Sequence, residues 1–385
     1  MDELTICLGG DIVPTKTNEH FFITGDSKAL LGKELLDILA NSDANIFNLE
    51  TPLCDKLAPI VKCGPNLHAP TACVKGLKAM HITAMGCANN HTLDQGEKGM
   101  FQTKRLLEAQ DIDVFGIGRN LSEAAEPYLI AKNGRRVGIY ACAEHEFTIA
   151  TETKAGANSY DALYSFDHVA ELKAKCDYVI VMFHGGKEFY RYPSPDIQRI
   201  CRRFVEKGAD LVVTQHTHCI GCREDYRKGV IIYGQGNFLF EQSAFCNREF
   251  YANGLLLRIK IDDGCKVEEL PVVLDEKGRL ALAESLIKEQ IMHEYRKRSL
   301  EIQRNGFVTK CYQQFARKTI EGYLRIPLGY LNTNIILRIA NRLLKRRLYY
   351  WLTNRRHRLS FLNIVECESH RELLIQGLKG VTKII

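Results

Sequence analysis

Seven polar residues in this chain of 385 share a position that suits chemistry. Asp11, Glu50, Asn90, His91, His184, His216 and His218 each stand at or just past the end of an apolar, strand-like run. Carboxylates, a carboxamide and neutral imidazoles form the ligand set that suits Zn, Mn or Fe. His216 and His218, at i and i+2, would point to opposite sides of a strand. On a turning loop at a strand end they can instead face two ions about 3.5–4 Å apart. A carboxylate such as Glu50 can bridge such ions. Together they bring deprotonation of a shared water toward neutral pH and stabilise charge on a phosphoryl or acyl oxygen. These residue types predict metal-assisted hydrolysis, with one or two divalent ions as the cofactor.

The residues have plainer roles open to them. Asp11 after Gly9-Gly10 could form a turn, Asn89-Asn90 could cap a helix, and His91 could be a satisfied core histidine. Against this stands the repetition, since five separate runs end on such residues. Leu4–Leu8, Ala44–Leu49, Ile82–Met85, Tyr178–Phe183 and Leu211–Val213 read as buried strands. In layered α/β folds ligands bind at the carboxyl ends of strands, where the loops converge. Ser27 can cap a helix with Leu31, Leu35, Ile38 and Leu39 on one face, and a second helix is expected over Thr71–Met80. Asn133-Gly134 marks a hairpin turn. Val230–Tyr233, and Leu255–Ile261 joined to Val267–Val273 through Asp262-Asp263-Gly264, add further β signals. Alternating strand and helix patterns predict an α/β layered domain over residues 1–275.

Composition bounds the rest. An apolar fraction of 45% and a charged fraction of 25% belong to a globular protein and exclude wholesale disorder. No stretch reaches the ~18 uninterrupted apolar residues of a membrane span, and the acidic Met1–Leu4 start lacks a signal-peptide pattern. A cytoplasmic location follows as the expectation. The 14 cysteines, scattered from Cys7 to Cys367, read as reduced thiols that mostly fill the core. Cys219-Ile220-Gly221-Cys222 has no matching second pair and is read as packing.

Charge is uneven. Leu286–Arg358 carries 17 Lys/Arg against 4 Asp/Glu, a surplus of 13, so with +6 overall the remaining residues net −7. Residues 276–385 are therefore expected to form a basic α-helical region. It can be a solvated cap or lie on an anionic membrane surface, as the mixture of Leu, Arg, Lys, Tyr and Trp over Leu343–Trp351 suggests. Nucleic acid is not expected as a partner, because basic residues alone lack a reading motif.

The order and context of the motifs resemble a known family. Gly10-Asp11, Asn48-Leu49-Glu50-Thr51-Pro52 and Asn89-Asn90-His91-Thr92-Leu93-Asp94-Gln95-Gly96 are followed by His184-Gly185-Gly186-Lys187-Glu188. Gly208-Ala209-Asp210, His216-Thr217-His218 and Gly236-Asn237-Phe238 complete the set. Together, over about residues 4–275, they resemble the bacterial CapA family of capsule (poly-γ-glutamate) biosynthesis proteins. The resemblance implies a calcineurin-like metallophosphoesterase fold, a four-layer αββα sandwich. It implies that Asp11 and His218 hold a first metal, that Glu50 bridges, and that Asn90, His184 and His216 hold a second. His91 resembles the catalytic histidine, and Asp94 and Glu188 would fix imidazole tautomers. Asn237 would line the pocket.

Three departures stand out. Classical phosphoesterases have Asp-x-His where this chain has Asp11-Ile12-Val13, so the first metal is short of a ligand. Gln215 stands where Gly often precedes the His-x-His pair, and Gly185 where the family often has Trp. Beyond these three, the membrane anchor that usually opens a family member is not expected for this chain. The implied substrate is an anionic polymer or a phosphorylated small molecule, cut at a phosphoester or a γ-glutamyl amide. A non-catalytic component that binds polymer or partner remains the alternative. A peripheral contact with the inner membrane surface through residues 286–358 is also expected.

Overall fold

The computed structural model describes residues 3–241, 248–262, 264–325, 334–344, 347, 355–366, 370, 374 and 378. Its strands, in chain order, begin with β1 (Leu4–Ile12), β2 (Ala44–Leu49), β3 (Ala84–Gly86), β4 (Asp113–Phe115), β5 (Ile117–Gly118), β6 (Tyr128–Lys132), β7 (Arg135–Ala143) and β8 (Gly156–Ala157). They continue with β9 (Tyr178–His184), β10 (Leu211–Gln215), β11 (Ile220–Tyr226), β12 (Gly229–Gln235), β13 (Asn237–Leu239), β14 (Asn253–Ile261), β15 (Cys265–Leu274) and β16 (Leu280–Leu282). One sheet runs β16-β15-β14-β1-β2-β3-β4, with β13 also paired to β1. A second runs β11-β12-β10-β9-β7-β6, and β5 and β8 pair in a small sheet of their own. β1 to β4 are mutually parallel, as are β7, β9, β10 and β12, so in each sheet several carboxyl ends point one way.

The period of two along the strands builds the layers. Leu4, Ile6 and Leu8 of β1 and Ile46 of β2 meet Ile180, Met182, Leu211, Val213 and Ile232 of the other sheet in one buried cluster. The alternate residues face outward under helices. Cys7, Phe47 and Met85 pack with Leu35, Leu39, Leu77 and Leu107. Val179, Val181 and Phe183 pack with Val169, Leu172, Ile197 and Phe204. The class is α/β, with helices on the outer face of each sheet.

Local chemistry explains where elements begin and end. Asn133 and Gly134, with φ of 54° and 74°, make the β6–β7 turn that the Asn-Gly pair predicts. The helix expected after Ser27 is two helices, Ser27–Leu30 and Lys33–Ala40. Asp26, not Ser27, is the cap, its carboxylate accepting from Ala29 N–H at 3.0 Å. Gly32 is extended (φ −61°, ψ 148°), and Leu31 bridges to Leu280 there, which breaks the helix.

By its contacts the chain divides into Met1–Thr309 and Lys310–Ile385. The first unit thus runs past the boundary near 275 expected from composition. β16 extends the first sheet, and helix Ser285–Glu301 buries Ile291 and Tyr295 in the cluster between the sheets. In the second unit the described helices include Ile335–Leu343 and Arg355–Glu366. Most of Leu343–Trp351, and Asp263 of the expected turn, lie outside the described residues.

Candidate metal centre

Strand register assembles the centre. β1 carries Asp11 beside Asn48 of β2 and Asn237 of β13, with a register shift on either side of it that re-aims the strand end. Glu50 follows β2 directly, and Asn90 and His91 follow β3. His184 ends β9 opposite Gln215, the last residue of β10, which delivers His216 and His218. Both histidines are left-handed, with φ of 83° and 53°. A side chain there costs of order 1–3 kcal/mol, a strain the surrounding structure must hold in place.

Two groups of three donors result, with ligand atoms all within 4.8 Å of one another. One is Asp11, Glu50 and His218; the other is Glu50, His184 and His216. Glu50 belongs to both. All five side chains are buried. Asn90 joins the second group through its Oδ1, 3.0 Å from His184 Nε2, which is also 3.3 Å from Glu50 Oε1. Asp11 Oδ1 accepts from Asn48 Nδ2 at 2.7 Å, and its Oδ2 lies 3.5 Å from His218 Nδ1. His218 Nδ1 also lies 2.9 Å from Asn237 Oδ1. Asn89 ties the loop down by donating to Asn48 Oδ1 at 3.0 Å and to Leu49 O at 2.8 Å.

Electrostatics follow from that crowding. Burial opposes charge on His184 and His218, but the Glu50 and Asp11 carboxylates overcome it; His184 is raised and His218 is pushed up to about 9. Burial and the neighbouring imidazoles hold His216 well below its usual value. Burial would raise Asp11, yet His218 and His184 bring it below the ordinary carboxylate range.

The residues fit a divalent cation. Both Glu50 oxygens and His216 Nδ1 are buried, and among the described residues the Glu50 oxygens meet no hydrogen-bond partner beyond the 3.3 Å ion-pair contact of Oε1 with His184 Nε2. A buried carboxylate so sparsely satisfied is costly unless a cation completes it. The donor set of Asp, Glu, Asn and His is that of Zn, Mn or Fe sites. Val13, where an imidazole would extend the first group, is a buried core residue.

Beside the donors lies a second cluster. His91 Nδ1 is 2.6 Å from Asp94 Oδ2, and Lys62 pairs with Asp94 Oδ1. The Lys62 side chain is only 3% exposed, and its Nζ is 3.2 Å from His91 Nδ1. Asp94 also accepts from Leu67 N–H at 2.6 Å, so it anchors the loop that carries Lys62. Lys62 has no counterpart among the sequence expectations, because it sits in an irregular loop without periodicity. Asn48 and Asn89 stand in the sequence motifs without an expected site role, and Glu144 has no counterpart there. Glu144 accepts from Gly186 N–H at 3.0 Å, and its side chain fills the space where a Gly185 side chain would go. Burial raises the Glu144 carboxyl. Glu188 is half-buried in the turn after β9 and, among the described residues, makes no hydrogen bond or ion pair with the imidazoles. Cys219 and Cys222 are buried free thiols. Burial pushes Cys219 up to about 11 and Cys222 higher still, so neither supplies a thiolate at neutral pH.

Fold and site together define an α/β protein of two main sheets with a buried Asp/Glu/His/Asn centre at its parallel strand ends. Residues 5–242 match the model of the bacterial capsule synthesis protein family PGA_cap, and the chain belongs to that family. Every donor named above falls within that stretch. The chain is 28% identical over 250 residues to the capsule biosynthesis protein CapA of Bacillus anthracis, covering 63% of this chain and 61% of that protein. It is 31% identical over 172 residues to the PGA biosynthesis protein CapA of Bacillus subtilis (strain 168), covering 44% and 45%. The matches thus span less than two thirds of those relatives. A more distant likeness is to a crystal structure of a phosphatase from Mycoplasma pneumoniae, with TM-score 0.43, 17% identity, and 71% and 94% covered.

Proposed function

We propose that this protein is a metal-dependent hydrolase of capsule, poly-γ-glutamate or surface-polymer biosynthesis. It cuts a phosphoester or amide bond in an anionic polymer or a phosphorylated small molecule. The observation that carries the reading is Glu50, fully buried, shared by two donor groups, and met among the described residues by no hydrogen-bond partner beyond the 3.3 Å ion-pair contact of Oε1 with His184 Nε2. Asp11, Glu50 and His218 would hold one ion; Glu50, Asn90, His184 and His216 the other. When bound, such ions acidify water and neutralise charge at the attacked oxygen. The chain's own part is positioning and proton transfer. Asp94 fixes His91 through Nδ1, so Nε2 is the atom that carries a proton to or from the reacting group. Asn237 and Asp11 both lie against His218 Nδ1 and so fix the orientation of its ring.

A second reading, a component that binds polymer or partner without turnover, is favoured by Val13, which leaves the first group with three donors. Elemental analysis beside hydrolysis assays separates the two. Under the first reading wild type carries near two equivalents of Mn, Zn or Fe and hydrolyses phosphodiester or γ-glutamyl substrates. Glu50→Gln loses metal and turnover, while His91→Ala keeps the metal and loses turnover by about 10²–10⁴-fold. Fully metal-loaded protein inert toward both substrate classes would establish the second reading.

A further inference from the structure

Helix Ile335–Leu343 exposes apolar residues that a water-facing helix hides. Ile335, Ile336, Ile339 and Leu343 are 67%, 72%, 54% and 78% exposed. At i, i+1, i+4 and i+8 they fall within an arc of about 100°, the width of an apolar helix face. Asn341, on the opposite side, is buried, so the helix packs by its back and presents the aliphatic stripe outward. Arg338 and Arg342 flank that stripe, both exposed, and the helix contains no acidic residue. Helix Arg355–Glu366 also exposes apolar residues, Leu359, Leu362 and Val365, beside an exposed Arg356. The unit Lys310–Ile385 carries 15 Lys/Arg against 4 Asp/Glu, a surplus of 11; with +6 overall, the remaining residues net −5.

We infer that helix Ile335–Leu343 docks in the interface of an anionic lipid bilayer. Its stripe would enter the acyl boundary while Arg338 and Arg342 meet lipid phosphates. Two facts select lipid over nucleic acid: the centre of the exposed face is aliphatic, and the arginines lie at its border. A polyanion in water would be met by cations across the face. Among the described residues no helix is long and apolar enough to cross a membrane, so the contact lies on the surface. This inference is independent of the chemistry proposed above.

Flotation of the full chain with phosphatidylglycerol vesicles, beside phosphatidylcholine vesicles, tests it. Wild type is expected to float with the anionic vesicles at low salt and to be released as salt rises. Ile339→Glu/Leu343→Glu should weaken binding at least about tenfold, and Arg338→Gln/Arg342→Gln about tenfold or more. All four side chains are exposed, so circular dichroism of the variants should match wild type. The inference falls if wild type ignores phosphatidylglycerol at low salt, or if it binds phosphatidylcholine equally. It falls too if the Glu variant floats as wild type does. Single-stranded RNA that binds wild type and the Glu variant alike, displacing vesicles from both, would overturn it in favour of nucleic acid.

Discussion

His218 shows how one residue couples charge to metal uptake. Against the effect of burial, Glu50 and Asp11 push its imidazole up to about 9, so without metal it is a cation at neutral pH. An ion takes the neutral ring, so loading releases that proton. Apparent metal affinity is therefore expected to rise about tenfold per pH unit below about 9, and titrations at successive pH values read that slope. The metal-free protein shows the opposite sign. A folded value above the ordinary 6.5 stabilises below 6.5, and this is lost as pH climbs toward 9. An affinity that stays flat with pH would mean that His218 is not displaced of a proton. The donors themselves were legible in the sequence, since each ends an apolar run and a polar residue there needs a reason. Lys62 was not, because its partners His91 and Asp94 lie in another loop that only the fold brings beside it.

Among the elements, the close approach of β1, β13 and β14 decides where Asp11 points. A side chain on Gly10 would lie 2.0 Å from the carbonyl oxygen of Gly236, and one on Gly254 1.9 Å from that of Asn237. Backbone cannot yield as a flexible side chain can. Gly10→Ala is expected to cost about 1–3 kcal/mol or more, and to weaken metal binding by shifting Asp11 and Asn237. Denaturant melts and metal titration check both; a variant as stable and as tight as wild type would show that the strands can part there without cost. The strands were readable from apolar runs, and the β6–β7 turn from Asn133-Gly134. The split near Gly32 was not, because the pairing of Leu31 with Leu280 spans most of the first unit.

At the scale of the molecule, the unit Met1–Thr309 takes in residues beyond 275 that composition sets apart. Strand β16 and helix Ser285–Glu301 look like appendage by charge and pattern, yet they bury Tyr295 and Ile291 against the sheets. Such long-range packing leaves no periodic mark. The donors, by contrast, come from both sheets: Asp11, Glu50 and Asn90 follow one, His184, His216 and His218 the other. An ion held between them is thus a crosslink between the two main sheets. In the metal-loaded protein, amides near the ends of β1, β2, β9 and β10 should exchange with deuterium in one cooperative opening. Chelation should separate them, the two groups then opening with different free energies, so that the centre sets the cooperativity of the whole body as well as its chemistry.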